Sequence, residues 1–269
     1  MATIRFLVLS DTHDSAFPDP STLPTVDVVL HCGDLTQLGS MKRFGEAVER
    51  LAACDAELKL AIPGNHDLEL DPEWWAKELE DGDDPELPQK AAALFTAAGG
   101  QGVRLLEEGL HHIALKDGRS FRIYASPYTP EFNGYAFAYG PQEDRFNSGK
   151  NPIPDDVDVV MTHGPPTAPG CRLDVNFKSE RCGCPKLWEA IKRVQPRVHC
   201  FGHIHEAYGA QTATWGGGGR GVVFDDVPHA EAVSVPSRGF GKTLLLNAAI
   251  MIHGDAKSNA PFVLEMPLP

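Results

Sequence analysis

The sequence predicts an α/β protein with helices layered outside sheet, and three observations carry that reading. Short β-rich apolar runs recur along the chain, amphipathic helical patterns sit between several of them, and most runs end abruptly in polar or glycine-containing sequence.

Taken in order, strands are expected at Ile4–Leu9, Val26–Leu30, Leu58–Ile62, Phe121–Ala125, Val157–Met161, Arg197–Phe201 and Thr243–Leu246. Helices are expected at Ser40–Cys54, Pro85–Ala98 and Pro185–Val194, each opened by a capping serine or a first-turn proline. Two stretches read as surface insertions on this core, near 71–89 and near 211–241. The first, Asp71–Gln89, is acidic and carries Trp74 and Trp75. The second, Gln211–Gly241, contains Gly216–Gly219 and Arg220 with few periodic apolar positions, and is long enough to be mobile in part or to cover a cleft.

With 269 residues and 42% apolar composition, the chain can bury a sizeable core, and a single domain over 1–269 is the expectation. A formal charge of −13, from 24 basic and 37 acidic residues, repels polyanions. Extended nucleic acid and anionic membrane are therefore disfavoured as partners, whereas a small phosphate ester drawn to a local positive site is not. Met1–Ser10 reads as a first core strand and not as a leader, and nothing reaches the roughly 18 continuous apolar residues of a membrane span. Six cysteines, at 32, 54, 171, 182, 184 and 200, lie inside strands or beside site residues, which fits reduced thiols in a cytoplasmic protein. Cys171, Cys182 and Cys184 lack the fourth ligand and spacing of a zinc clip, so small buried or loop residues are the simpler reading.

Five polar clusters fall just after expected strands: Ser10-Asp11-Thr12-His13, Cys32-Gly33-Asp34, Gly64-Asn65-His66-Asp67, Thr162-His163-Gly164 and Gly202-His203-Ile204-His205. In open α/β sheets the strand ends gather at one edge, where residues distant in sequence converge on a ligand. Asp-x-His and His-x-His put two donors on one side of an extended chain. Carboxylate, imidazole and a neutral amide oxygen suit Mn, Fe or Zn and are too nitrogen-rich for calcium. Asp11, His13, Asp34, Asn65, His163, His203 and His205 exceed what one tetrahedral site uses, so two divalent or trivalent metals sharing a carboxylate are expected. Asp34 is the best bridge, because a carboxylate has two oxygens to share. The remaining histidines, His31, His111, His112, His199, His229 and His253, read as ordinary packing or surface residues.

These blocks, spanning residues 10 to 205, resemble the five-block signature of calcineurin-like metallophosphoesterases. Phe121–Pro130 (FRIYASPYTP), Phe132-Asn133-Gly134, His163–Pro166 (HGPP) and His205–Gly209 (HEAYG) resemble the small metallophosphoesterase-domain subgroup of animals and fungi. The resemblance implies a two-sheet mixed β-sandwich flanked by helices, the calcineurin-like phosphoesterase fold. It assigns Asp11, His13, Asp34 and His205 to one metal, and Asp34, Asn65, His163 and His203 to the other. Animal members of the subgroup can carry glycine in place of the first histidine of the last block; this sequence keeps His203. The implied chemistry is hydrolysis by a metal-bound hydroxide, with His66 near the leaving group as proton donor. Asp67 either orients His66 or belongs to the following turn.

The resemblance favours a phosphodiesterase acting on a cyclic nucleotide or similar small diester. A phosphomonoesterase or protein phosphatase on the same site is the nearest rival, and a non-catalytic metal-binding scaffold or a nuclease stands further off. Tyr128, Phe132, Asn133 and Tyr135 form an aromatic, amide-bearing loop for which base binding and simple packing are both open.

Overall fold

The computed structural model of the chain describes residues 2–216, 221–239, 241–252, 254 and 258–268. One sheet orders six strands as β13 (Val233–Ser234), β15 (Phe262–Pro267), β1 (Thr3–Leu9), β2 (Val26–His31), β3 (Ala56–Ala61) and β4 (Val103–Leu105). The other orders seven as β12 (Val222–Val227), β11 (Gly209–Trp215), β14 (Lys242–Asn247), β10 (Val198–Phe201), β9 (Val159–Thr162), β6 (Ser120–Ser126) and β5 (Gly109–Ala114). β7 (Thr129–Pro130) and β8 (Ala138–Tyr139) form a short separate ladder. β1 to β4 run parallel, as do β6, β9, β10 and β14, so the site-bearing strands of each sheet end on one side.

Period-two alternation sorts the apolar residues into layers. Ile4, Phe6 and Val8 of β1 meet Ile123, Met161, Cys200 and Leu246 of the second sheet in the inter-sheet core. Leu7 and Leu9 face the other way, onto α1 (Met41–Ala53) and α3 (Leu87–Ala97). The outer face of the second sheet packs Tyr124, Val160, Phe201 and Leu245 against α4 (Pro185–Val194). The result is helix, sheet, sheet, helix: a calcineurin-like two-sheet sandwich of α/β character.

Each main helix follows from its sequence. Ser40 caps α1 by accepting the Arg43 N–H, and Phe44, Ala47, Val48 and Leu51 recur at helical spacing on the buried face. Cys184 caps α4, Pro185 occupies its first turn, and Gln195 closes it in the left-handed region.

The expected strands are all present, shifted by one or two residues at their ends, and α3 starts at Leu87 instead of Pro85. The stretch 71–89 contains a further helix, α2 (Pro72–Glu78), which buries none of its residues and so leaves no apolar stripe to read. The stretch 211–241 contains strands: β11 and β12 pair antiparallel at the sheet edge, and β13 joins the first sheet. Reading the stretch as a surface insertion with few periodic apolar positions did not foresee these strands, because β12 is an edge strand whose apolar positions stay partly exposed, Val223 most of all. Gly217–Arg220 and His253 lie outside the described residues. Among the described residues, no helix is long and apolar enough to cross a membrane.

Candidate metal centre and active site

Asp11 and His13 follow β1, Asp34 follows β2, Asn65 follows β3, His163 follows β9, and His203 and His205 follow β10. At this edge the two sheets are tied by a parallel bridge between Ser10 and Ala249, and within the second sheet the Gly202 N–H donates to the His163 carbonyl at 2.9 Å. All seven side chains expected to ligate metal are therefore brought together.

They sort into two triads. Donor atoms of Asp11, His13 and His205 lie within 4.8 Å of one another, as do those of Asp34, His163 and His203. Asn65 joins the second triad through Oδ1, 2.9 Å from His163 Nε2. Asp34 lies between them: Oδ1 is 3.3 Å from His163 Nε2, and Oδ2 is 3.5 Å from His13 Nε2. One oxygen of the same carboxylate thus faces each group.

The imidazole tautomers follow from their outer partners. His13 Nδ1 lies 3.2 Å from the Thr36 carbonyl and His163 Nδ1 lies 2.9 Å from the Cys32 carbonyl. A carbonyl only accepts, so both Nδ1 atoms carry a proton and both Nε2 atoms point inward. There His13 Nε2 meets His205 Nε2 at 3.2 Å, and His163 Nε2 meets two oxygens. Imidazole nitrogens, carboxylate oxygens and an amide oxygen converging at this range form a donor set that suits first-row metals.

Backbone geometry shows how closely the parts approach. Asp11, His13, Asp34 and His203 all adopt positive φ, between 40° and 69°. Such conformations are uncommon for non-glycine residues and store roughly 1–3 kcal/mol each when they persist at functional sites. A Cβ on Gly64 would stand 2.2 Å from Asp34 Oδ1, and one on Gly202 would stand 2.0 Å from Asp11 Oδ2. Both carboxylates occupy the space that a side chain would need.

Electrostatics point the same way. Burial alone would raise the Asp34 carboxyl, but His163 and His13 hold it well below the usual carboxylate range. For Asp11, burial is likewise outweighed by the hydrogen bond and charge of His205 and the charge of His163. Burial opposes charging His163, yet Asp34, Asp11 and the Cys32 carbonyl together lift it to about 9, a field that favours a cation at this point. His203 is pushed down to about 4 by burial and by His163.

Beneath each sheet's ligands sits a matched pair not assigned from sequence. Thr12 donates to the Leu35 carbonyl and accepts from His31 Nε2 at 3.1 Å; Thr162 donates to the Gly164 carbonyl and accepts from His199 Nε2 at 2.8 Å. Burial pushes both His31 and His199 down to about 3, so they are neutral packing residues that fix the chain beside Asp11 and His163. The only available signal was their alternation with core positions.

His66 is half-buried, with Nδ1 2.7 Å from the Gln37 carbonyl. Its ring stands edge-on to His13 at 4.8 Å and tilted against Tyr135 at 4.4 Å. Asp67 accepts from the backbone N–H groups of Leu35, Thr36 and Gly64 and from the Thr36 hydroxyl, at 2.8–3.1 Å. It ties the loop after β2 to the loop after β3, and its hydrogen bonds go to these donors, not to the His66 ring. Phe132 and Asn133 are exposed at the turn that leads to Tyr135. One face of Tyr128 is covered by the Arg145 guanidinium, 3.5 Å from the ring centroid. Among the described residues Cys171, Cys182 and Cys184 do not form a third donor group; Cys184 accepts from the Leu187 N–H as a helix cap.

Residues 4–207 match the family model for calcineurin-like phosphoesterase. The chain belongs to that family. It is 34% identical over 280 aligned positions to metallophosphoesterase domain-containing protein 1 of Homo sapiens and of Mus musculus, covering 98% of this chain and 72% of theirs. A solved crystal structure aligns with a TM-score of 0.54 at 13% identity, over 92% of this chain and 91% of that one, a likeness of fold alone. A calcineurin-like phosphoesterase with two candidate metal-ligand groups at its strand ends is a phosphoric ester hydrolase by family.

Proposed function

We propose that the chain hydrolyses small phosphodiesters, cyclic nucleotides among them, at a centre holding two transition metals such as manganese, iron or zinc. The observation that carries this reading is Asp34, whose two carboxylate oxygens face different triads. Asp11, His13, Asp34 and His205 hold one metal, and Asp34, Asn65, His163 and His203 hold the other. When bound, the pair supplies Lewis-acid stabilisation of phosphate charge and activates water.

The chain's own residues do the rest. The carbonyls of Thr36 and Cys32 lock the His13 and His163 rings so that Nε2 faces the centre. The Gln37 carbonyl holds the His66 Nδ1 proton, so proton exchange with a leaving oxygen takes place at Nε2. Asp67 sets the distance between the loops bearing Asp34 and Asn65. Phe132 and Asn133, exposed on the loop that leads to Tyr135, would supply contacts for a base. The diester preference draws on the likeness to the small metallophosphoesterase-domain subgroup, and a cytoplasmic location fits six unpaired thiols, five of them buried.

Elemental analysis and turnover test the reading together. The purified protein should hold two metal equivalents, and His66→Ala should keep both while losing about 10²–10⁴-fold in turnover. A single equivalent, or full activity in the histidine variant, refutes the assignment. Cleavage of an aryl monoester faster than the matching diester overturns the diester preference in favour of a phosphatase.

A further inference from the structure

We propose that Tyr135 is a positioning residue for His66, braced from outside the site by Asp71 and Trp74. The inference rests on the reading of His66 as proton donor. A single hydrogen bond from Nδ1 to the Gln37 carbonyl leaves an imidazole free to swing about that contact. The His13 edge limits the swing on one side, and the Tyr135 ring limits it on another, at 4.4 Å with a 34° tilt.

Tyr135 in turn is held by hydrogen bonds on both flanks. The Ala136 N–H donates to the Asn65 carbonyl at 3.2 Å, which ties the loop to the residue before His66. The Phe137 N–H donates to Asp71 Oδ2, and the Trp74 indole N–H donates to the Gly134 carbonyl, both at 2.7 Å. Asp71 Oδ1 also accepts from the Glu73 and Trp74 N–H groups, so one buried carboxylate caps α2 and pins the loop. α2 buries none of its residues fully, and only Trp74 of its side chains packs against the helix-side core. The Trp74 indole and the Asp71 carboxylate instead reach the loop that packs on His66, which gives Asp71 and Trp74 a role in the site.

Leaving-group dependence separates positioning from simple structural damage. Bis(4-nitrophenyl) phosphate releases a phenolate that departs with little need of a proton, whereas diphenyl phosphate needs one. Tyr135→Leu should lower kcat on diphenyl phosphate about 10- to 100-fold and on bis(4-nitrophenyl) phosphate less than about 3-fold, with KM little changed. Tyr135→Phe should restore the rate, because the contact is made by the ring. In a His66→Ala background, Tyr135→Leu should cost less than about 2-fold more, since the two act as a unit. Trp74→Phe, which keeps the ring and removes the indole donor, should give a smaller loss confined to diphenyl phosphate. In the metal-free protein, the His66 ring proton resonances should move in Tyr135→Leu. Equal losses on both diesters, additive losses with His66→Ala, or unmoved His66 resonances overturn the positioning role alone. Undiminished turnover in His66→Ala overturns the proton-donor reading and the inference with it.

Discussion

Replacing Gly64 with alanine puts a Cβ 2.2 Å from Asp34 Oδ1, 2.4 Å from the Asp34 nitrogen and 2.7 Å from His163 Cε1. Two of those neighbours are candidate ligand groups and the third is backbone, so none can rotate harmlessly out of the way. Reaching ordinary van der Waals contact requires a shift of roughly 1 Å or more. Two effects compete. Removing glycine's excess freedom from the unfolded chain gains about 0.4–1 kcal/mol. Overpacking a tight interior costs about 1–3 kcal/mol, so the net expectation is a loss of about 1–2 kcal/mol in the metal-free protein. The functional loss is larger, because the displaced atoms belong to the proposed bridge: metal affinity should fall about 10- to 100-fold. Urea unfolding of the metal-free protein and calorimetric metal titration measure the two effects separately. A Gly64→Ala protein with the original urea midpoint and the original affinity for two metals refutes the close-approach argument.

Gly45 supplies the opposite sign: it lies inside α1 with open space where a Cβ would go, so Gly45→Ala should stabilise by about 0.5–1 kcal/mol in the same urea assay. Leu51→Ala, on the buried face of α1, should cost about 2–5 kcal/mol, and a cost below 1 kcal/mol contradicts its place in the core. His199 titrates near 3 when folded and at 6.5 by its ordinary value, so the unfolded chain binds more protons between those limits and stability falls as pH drops from 6.5 toward 3. Its contribution lost between pH 7 and pH 5 is about 2 kcal/mol, and His199→Gln, which keeps a donor for Thr162 without titrating, should flatten the acid-side curve by that amount.

Where the sequence carries periodicity, the fold was legible. The α1 stripe Phe44, Ala47, Val48, Leu51 and the β1 alternation Ile4, Phe6, Val8 each name their faces directly. α2 was not legible, because a helix that buries nothing writes no period, and β15 was passed over although it pairs with β1 along its whole length. The candidate ligands were legible because aspartate, asparagine and histidine beside glycine at strand ends are a chemical pattern. Their supports were not. The carbonyls of Thr36, Cys32 and Gln37 belong to the backbone, which carries no residue-type signal. Asp67 left two readings open from sequence, and its four donors come from Leu35, Thr36 and Gly64, three of them some thirty positions away. The Arg145 guanidinium over Tyr128 is equally a tertiary pairing that spacing does not announce.

Each triad draws on both sheets: Asp11 and His13 join His205, and Asp34 joins His163 and His203. Hydrogen bonding runs mainly within a sheet, so stacked sheets are otherwise held by side-chain packing, yet this edge also carries the Ser10–Ala249 bridge. The centre therefore lies where the two leaves of the sandwich are also joined by backbone. Because each triad takes donors from both leaves, the spacing of the donors around the shared carboxylate is set by how the two sheets pack.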